Sequence, residues 1–180
     1  VVSGPAGAGK GTLVSRVRLR RPDLGLSVSA TTRPPREGEI DGVSYHFLSD
    51  EEFTRRVEAG EFLEWAQVHD HRYGTLRSSV DVLLAAGTSV ILEIDVQGAA
   101  NVRRMYPDCV LIFIEPPSMD VLEQRLLARG SEDDESFRLR MSDARREMEL
   151  AGSYDVRIVN DDLEEATQDL LHTMSSYETK

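Results

Sequence analysis

The stretch GPAGAGKGT, Gly4 to Thr12, decides how the rest of the chain is read. A nucleotide-binding loop has the spacing G-x-x-x-x-G-K followed at once by Ser or Thr, whose hydroxyl reaches a magnesium ion. Gly4, Gly9 and Lys10 keep that spacing, but Gly11 stands where the hydroxyl belongs and Thr12 follows one place later. Upstream, Val1 to Ser3 read as the tail of a buried strand. Downstream, Gly9 to about Arg20 read as a helix with Leu13, Val14 and Val17 on its apolar stripe and Pro22 as its stop. In a strand, glycine loop and helix so ordered, backbone N–H groups and the positive helix end converge on a phosphate. The alternative is a turn that is merely glycine-rich. Composition argues against it: of the 21 basic residues only Lys10 and Lys180 are lysines. A chain that otherwise uses arginine keeps a compact ammonium inside the loop, where a wide guanidinium would not fit.

Beyond the loop, Leu24 to Ala30 reads as a strand, and Thr31 to about Thr75 as a turn-rich stretch with short alternating pieces such as VSYHF and FLEWAQV. Within it, Ser49 and Glu52 form a capping box for a short helix through Val57, ended by Gly60. The pattern then becomes regular. Helices are expected over Leu76–Ala86, Ala99–Met105, Met119–Arg129, about Asp133–Ala151 and Leu163–Tyr177, and strands over SVILEID, CVLIFIE and Val156–Val159. Alternating strands and helices imply an α/β sandwich with a mostly parallel sheet. In VILEID, Glu93 and Asp95 share one strand face at its C-terminal end, where ligands bind in open α/β sheets. Asp95 there can hold magnesium or its waters; the plainer reading is two carboxylates in turn hydrogen bonds.

The 180 residues suit one domain, perhaps with a small insert, able to bury roughly 70% of its unfolded surface. With 40% hydrophobic and 29% charged residues, the composition is that of a soluble globular protein, and no stretch approaches a membrane span. A formal net charge of −11 argues against broad binding to nucleic acid or anionic lipid, so phosphates must be bound at a local site. The single cysteine, Cys109, is expected as a buried thiol in a reducing cytoplasm. The opening Val1 is not a methionine, which points to residues upstream.

In TTRPPREGEIDGVSYHF, Pro34 and Pro35 hold Arg33 and Arg36 in an extended segment, so two guanidinium forks lie near one place and Tyr45 adds a hydroxyl. The readings are an anion site or a solvated arginine pair. Here the chain resembles the guanylate kinases: GPAGAGKGT, SVSATTRPPREGEIDGVSYHF, GEFLEWAQVHDHRYGT, ILEIDVQGAANV, RLLARG and IVNDDLEEA follow that family in order along essentially the whole length. The resemblance implies ATP-dependent phosphorylation of GMP, and of dGMP, in the cytoplasm, with Mg2+ accompanying ATP. Its fold would be a P-loop three-layer sandwich over 1–30 and 76–180, a small mixed GMP-binding insert over 31–75, and a helical lid at about 126–142. ATP would lie on Gly4, Pro5, Ala6, Gly7, Ala8, Gly9, Lys10, Gly11 and Thr12, with Asn160 near adenine. Arg125, Arg129 and Arg140 would join Lys10 on the transferring phosphoryl group. Arg33, Arg36, Tyr45 and Tyr73 would grip the GMP phosphate, Glu64 would read the base, and Ser29, Thr75 and Glu93 would complete the acceptor site. Magnesium would fall to Asp95, directly or through water, with Thr12 as a second oxygen. Gly11 is a variant shared with nucleoside monophosphate kinases, and Ala6 replaces a more usual Ser.

Trp65 is expected as a core aromatic, and His69 and His71 as solvated loop residues. Closure on substrate binding is expected, because open water would hydrolyse ATP. Monomer and homodimer are both compatible with the sequence. Two rivals stand beside this reading. One is a non-catalytic guanylate-kinase-like module that binds phosphorylated peptides, against which the intact loop speaks; the other is a kinase with another phosphorylated acceptor, against which Glu64 and TTRPPR speak.

Overall fold

The computed structural model describes residues 1–68, 70–128 and 134–178. They form two compact units, Val1–Pro22 with Glu93–Ala99 and Asp108–Lys180, and Asp23–Leu92 with Ala100–Pro107.

In the first unit β1 (Val2–Ser3), β8 (Ile112–Glu115) and β9 (Val156–Val159) make a parallel sheet in the order β1-β8-β9, with Val2 opposite Ile112 and Ile112 opposite Val156. All four residues of β8 are buried, as befits a parallel strand covered on both faces. Helix α1 (Lys10–Arg20) buries Leu13, Val14 and Val17, the expected stripe. It packs against α7 (Leu163–Glu178), and Arg16 and Arg20 reach Glu164 across that pairing. Helices α5 (Met119–Ala128) and α6 (Asp134–Glu149) share a core of Leu122, Leu126, Met141 and Ala144. Bonded through Glu93, the chain after β7 meets β1 at Val2.

The second unit holds a two-stranded parallel pair, β2 (Gly25–Leu26) with β7 (Val90–Ile91), and helix α3 (Arg77–Ala85). A mixed sheet of order β4-β3-β6-β5 is built from β3 (Ala30–Thr31), β4 (His46–Phe47), β5 (Phe62–Val68) and β6 (His71–Leu76). Helix α2 (Asp50–Glu58) covers it: Phe53 stacks on Phe62 at 4.4 Å and joins Ala30 and Leu76 in a buried cluster. The α/β class, parallel sheet and separate mixed sheet agree with the sequence reading.

Several local readings are corrected. Leu24 to Ala30 is two strands, because Gly25–Leu26 pairs with β7 while Ala30–Thr31 pairs with β4 and β6; β propensity alone does not show a change of sheet. Helix α4 (Val96–Met105) starts three residues before Ala99, because Asp95 Oδ1 accepts the Gly98 N–H at 2.7 Å and caps the first turn. Ser49 caps α2 through the Glu52 N–H at 3.1 Å, but the Glu52 carboxylate binds Arg55 and Arg56 rather than closing the box. Trp65 is 44% exposed and meets Phe53 in a T-shaped contact, and Cys109 is only partly buried. Among the described residues no helix is long and apolar enough to cross a membrane.

Candidate active site

The loop between β1 and α1 is shaped to present N–H groups. Gly9 takes the left-handed conformation (φ 93°, ψ 17°) just before α1, whose first turn has no acidic residue and no side-chain cap among the described residues. The helix field there favours an anion. The loop is braced from behind. Asn160, buried at the end of β9, donates Nδ2 to the Ala8 carbonyl at 2.7 Å, and its amide fills the space where a Cβ on residue 9 would fall. The Asn160 backbone carbonyl accepts Arg125 Nη2 at 2.9 Å, so the last turn of α5 is fastened to the same brace. Asn160 thus bears on the loop itself.

Lys10 folds its ammonium over the loop, donating to the carbonyls of Gly4 and of Pro5, the latter at 3.0 Å. Three acids sense one another or Lys10. Glu93 keeps an open face, yet the protein around its carboxyl pushes its pKa up against the pull of Lys10. Its Oε1 would lie 3.3 Å from a Cβ on residue 11, so Gly11 leaves room for that carboxylate where Ser or Thr would crowd it. Asp95 engages one oxygen in capping α4 and is half-buried.

Glu147 of α6 was not singled out from the sequence. Burial raises its pKa to about 7, with Asp95 and Asp143 adding to the shift and Lys10 opposing it. The available signal was that it follows Ala144 by three, on the face that Met141 and Ala144 bury. Because the folded state favours the protonated carboxyl, its contribution is intact below pH 4.5 and is lost as pH rises toward 7. Glu147→Gln is therefore expected to melt like the natural chain at pH 5. At pH 8 it should be more stable, by about 1–2 kcal/mol once solvent screening is allowed for; equal melting curves at pH 8 would count against the shift. Arg140 lies half-exposed on α6, and Arg129 lies outside the described residues.

The second unit carries the other group of predicted residues. On the β5–β6 hairpin Glu64 faces Thr75, both buried, and the Thr75 hydroxyl donates to Glu64 Oε1 at 2.6 Å. Gly74 is required beside them, since a Cβ there would press on the Glu64 carbonyl and the Phe62 ring. Ser29, half-buried before β3, accepts the His46 N–H at its carbonyl. The Arg33 guanidinium lies 5.5 Å from the Tyr45 ring centre, and Tyr45 meets Tyr73 edge-on at 6.0 Å. Arg36 extends into solvent from the same loop. The structure thus gathers Ser29, Arg33, Arg36, Tyr45, Glu64, Tyr73 and Thr75 in this unit, whereas Glu93 sits with the glycine loop. His71 opens β6, and His69 lies outside the described residues.

A glycine loop of this build, running from a parallel strand into a helix that starts with its lysine, places the chain among the P-loop nucleotide-binding phosphotransferases. The guanylate kinase family model matches residues 1–177, and the chain belongs to that family. It is similar to the guanylate kinase of Neisseria gonorrhoeae, 51% identical over 180 residues covering 100% of this chain and 88% of that one. The Thermosynechococcus vestitus guanylate kinase is 51% identical over 166 residues, covering 92% of this chain and 87% of the relative. The crystal structure of guanylate kinase from Anaplasma phagocytophilum superposes with a TM-score of 0.79 at 32% identity, covering 99% of this chain and 85% of that one. The chain is an enzyme that phosphorylates GMP to GDP.

Proposed function

We propose that ATP lies with its phosphates on the loop from Gly4 to Thr12, and that GMP lies against the mixed sheet with its base on Glu64 and its phosphate on Arg33, Arg36, Tyr45 and Tyr73. The observation that carries this reading is the buried Glu64–Thr75 pair, in which the Thr75 hydroxyl donates to one oxygen of a carboxylate, a group able to accept from several N–H groups. Guanine offers a ring N–H and an exocyclic amine side by side. Ser29 and Glu93 complete the acceptor set, and dGMP is accepted too.

Lys10, Arg125, Arg129 and Arg140 supply positive charge to the transferring group, and Asn160 serves ATP by holding Ala8. A GMP phosphate oxygen attacks the γ-phosphorus of ATP while the bond to the β–γ bridging oxygen breaks, giving GDP and ADP. No base is needed, because the second pKa of a phosphate monoester is about 6 and the attacking oxygen is already largely anionic at neutral pH. Positioning and charge do the rest.

Magnesium fits this site as a guest of the nucleotide: Asp95 retains one oxygen beyond its cap bond, and Mg2+ prefers one or two carboxylates with waters and phosphates. Asp95, directly or through water, and Thr12 would hold it, and it would neutralise phosphate charge. The protein acts in the cytoplasm in this reading. A coupled assay with ATP and Mg2+ across GMP, dGMP, AMP and a sugar phosphate tests it. Turnover is expected with the two guanine nucleotides, and comparable turnover with AMP would overturn the assignment of Glu64.

A further inference from the structure

The segment between Arg33 and Tyr45 contains an acid, Glu39, that none of the assigned roles uses. Its carboxylate joins two parts of the arginine loop: Oε1 accepts Arg33 Nη2 at 2.8 Å and Oε2 accepts the Arg36 backbone N–H at 2.7 Å. The Glu39 N–H in turn donates to the Arg36 carbonyl at 3.0 Å, closing a turn through Gly38, whose φ of 82° suits glycine. Thr31 Oγ1 accepts the Arg33 N–H at 3.1 Å, and Arg33 Nη1 donates to the Pro34 carbonyl at 2.7 Å. The ion pair is sheltered, with side-chain exposures of 11% for Arg33 and 22% for Glu39, against 42% and 51% for the surface pair Arg16–Glu164. Screening and side-chain entropy, which make surface pairs nearly neutral, weigh less here.

We propose that Glu39 is a positioning residue for the acceptor phosphate: by clamping the Arg33 fork to the Arg36 backbone, it sets where both arginines meet the phosphate of GMP. The proposal rests on the assignment of Arg33 and Arg36 to that phosphate. The Arg33 fork donates within the loop to Pro34 and Glu39 and also engages the Tyr73 side chain, which limits its freedom to reorient. A flexible loop would have to lose this freedom on binding; a clamped one has already lost it. The opposite role is also testable, since a carboxylate beside an anion site could act as a competitor, and its removal would then tighten GMP.

The test is steady-state kinetics on Glu39→Ala, Glu39→Gln, Arg33→Met and the double variant Glu39→Ala/Arg33→Met, with melting curves for each. Glu39→Ala is expected to raise KM for GMP by about tenfold or more and lower kcat, with KM for ATP within about twofold. Glu39→Gln, which keeps an oxygen for the Arg36 N–H and loses the ion pair, should fall between. In the Arg33→Met background, Glu39→Ala should add little, because the two act through one interaction. If Arg33→Met raises KM for GMP while Glu39→Ala leaves it unchanged or lowers it, the role of Glu39 is overturned. An equal rise for ATP and GMP also overturns it. If Arg33→Met itself leaves KM for GMP unchanged, the phosphate assignment is what fails. Should Glu39→Ala not fold, an unchanged KM for GMP in Glu39→Gln overturns the proposal on its own.

Discussion

Lys10→Ala is expected to lower kcat for GMP phosphorylation by about 10²–10³-fold, while KM for GMP stays within about twofold. The expectation follows from where the ammonium lies. In the structure it donates to the carbonyls of Gly4 and Pro5, within the loop whose N–H groups and helix end are offered to a phosphate. As the transferring group shifts its charge toward the bridging oxygen, a compact cation at that spot stabilises the transition state more than the ground state. Lys10→Arg should recover little, because the guanidinium is wide and planar and the loop backbone is closed behind by Asn160. Steady-state and single-turnover assays check this, and near-normal turnover in Lys10→Ala would remove the lysine from the mechanism.

The second large effect concerns the base. Glu64→Gln is expected to lower kcat/KM for GMP by about 10²-fold or more and to narrow the preference for GMP over AMP, which a site built around buried hydrogen bonds can hold at about 10⁴. A carboxylate accepts from both the guanine ring N–H and its amine. A carboxamide accepts only through its oxygen and turns an N–H toward a second donor. Adenine offers an acceptor at the ring position and has no amine beside it, so Gln penalises it less. Thr75→Val should give a milder loss, since the hydroxyl supports one carboxylate oxygen rather than touching the discrimination directly. Competition kinetics with GMP and AMP read the ratio, and an unchanged ratio in Glu64→Gln would exclude this residue from base reading.

What was legible in the chain was what is local. The loop, its helix and the strand before it lie within twenty residues, and the apolar stripe of Leu13, Val14 and Val17 marks its own buried face. Arg33, Arg36 and Tyr45 stand out in the proline-held segment and the rest of the acceptor group follows from the resemblance; the structure gathers seven of them in one unit. What escaped depends on partners remote in sequence or on choices between equal options. β6 does not stand out in the sequence, because HRYGTL carries a required glycine and three charged or titratable side chains, and only its pairing with β3 and β5 makes it a strand. Glu39 sits in a run of polar turn residues where an acid normally faces water, and its clamp appears only once Arg33 is placed. Glu147 lies in RREME, and burial of one acid among those charges is set by packing that no short pattern encodes. Trp65 departs from the core position expected of it because alternation along FLEWAQV marks two faces without saying which is wet.

The brace between Asn160 and Ala8 spans 152 positions. On a ribosome, the glycine loop emerges well before the side chain that fixes its carbonyl, and before β8 arrives to pair with β1. Vectorial synthesis therefore leaves the loop waiting on a residue made much later. A nascent chain halted before β9 would carry the whole phosphate motif and lack the part that holds it in shape.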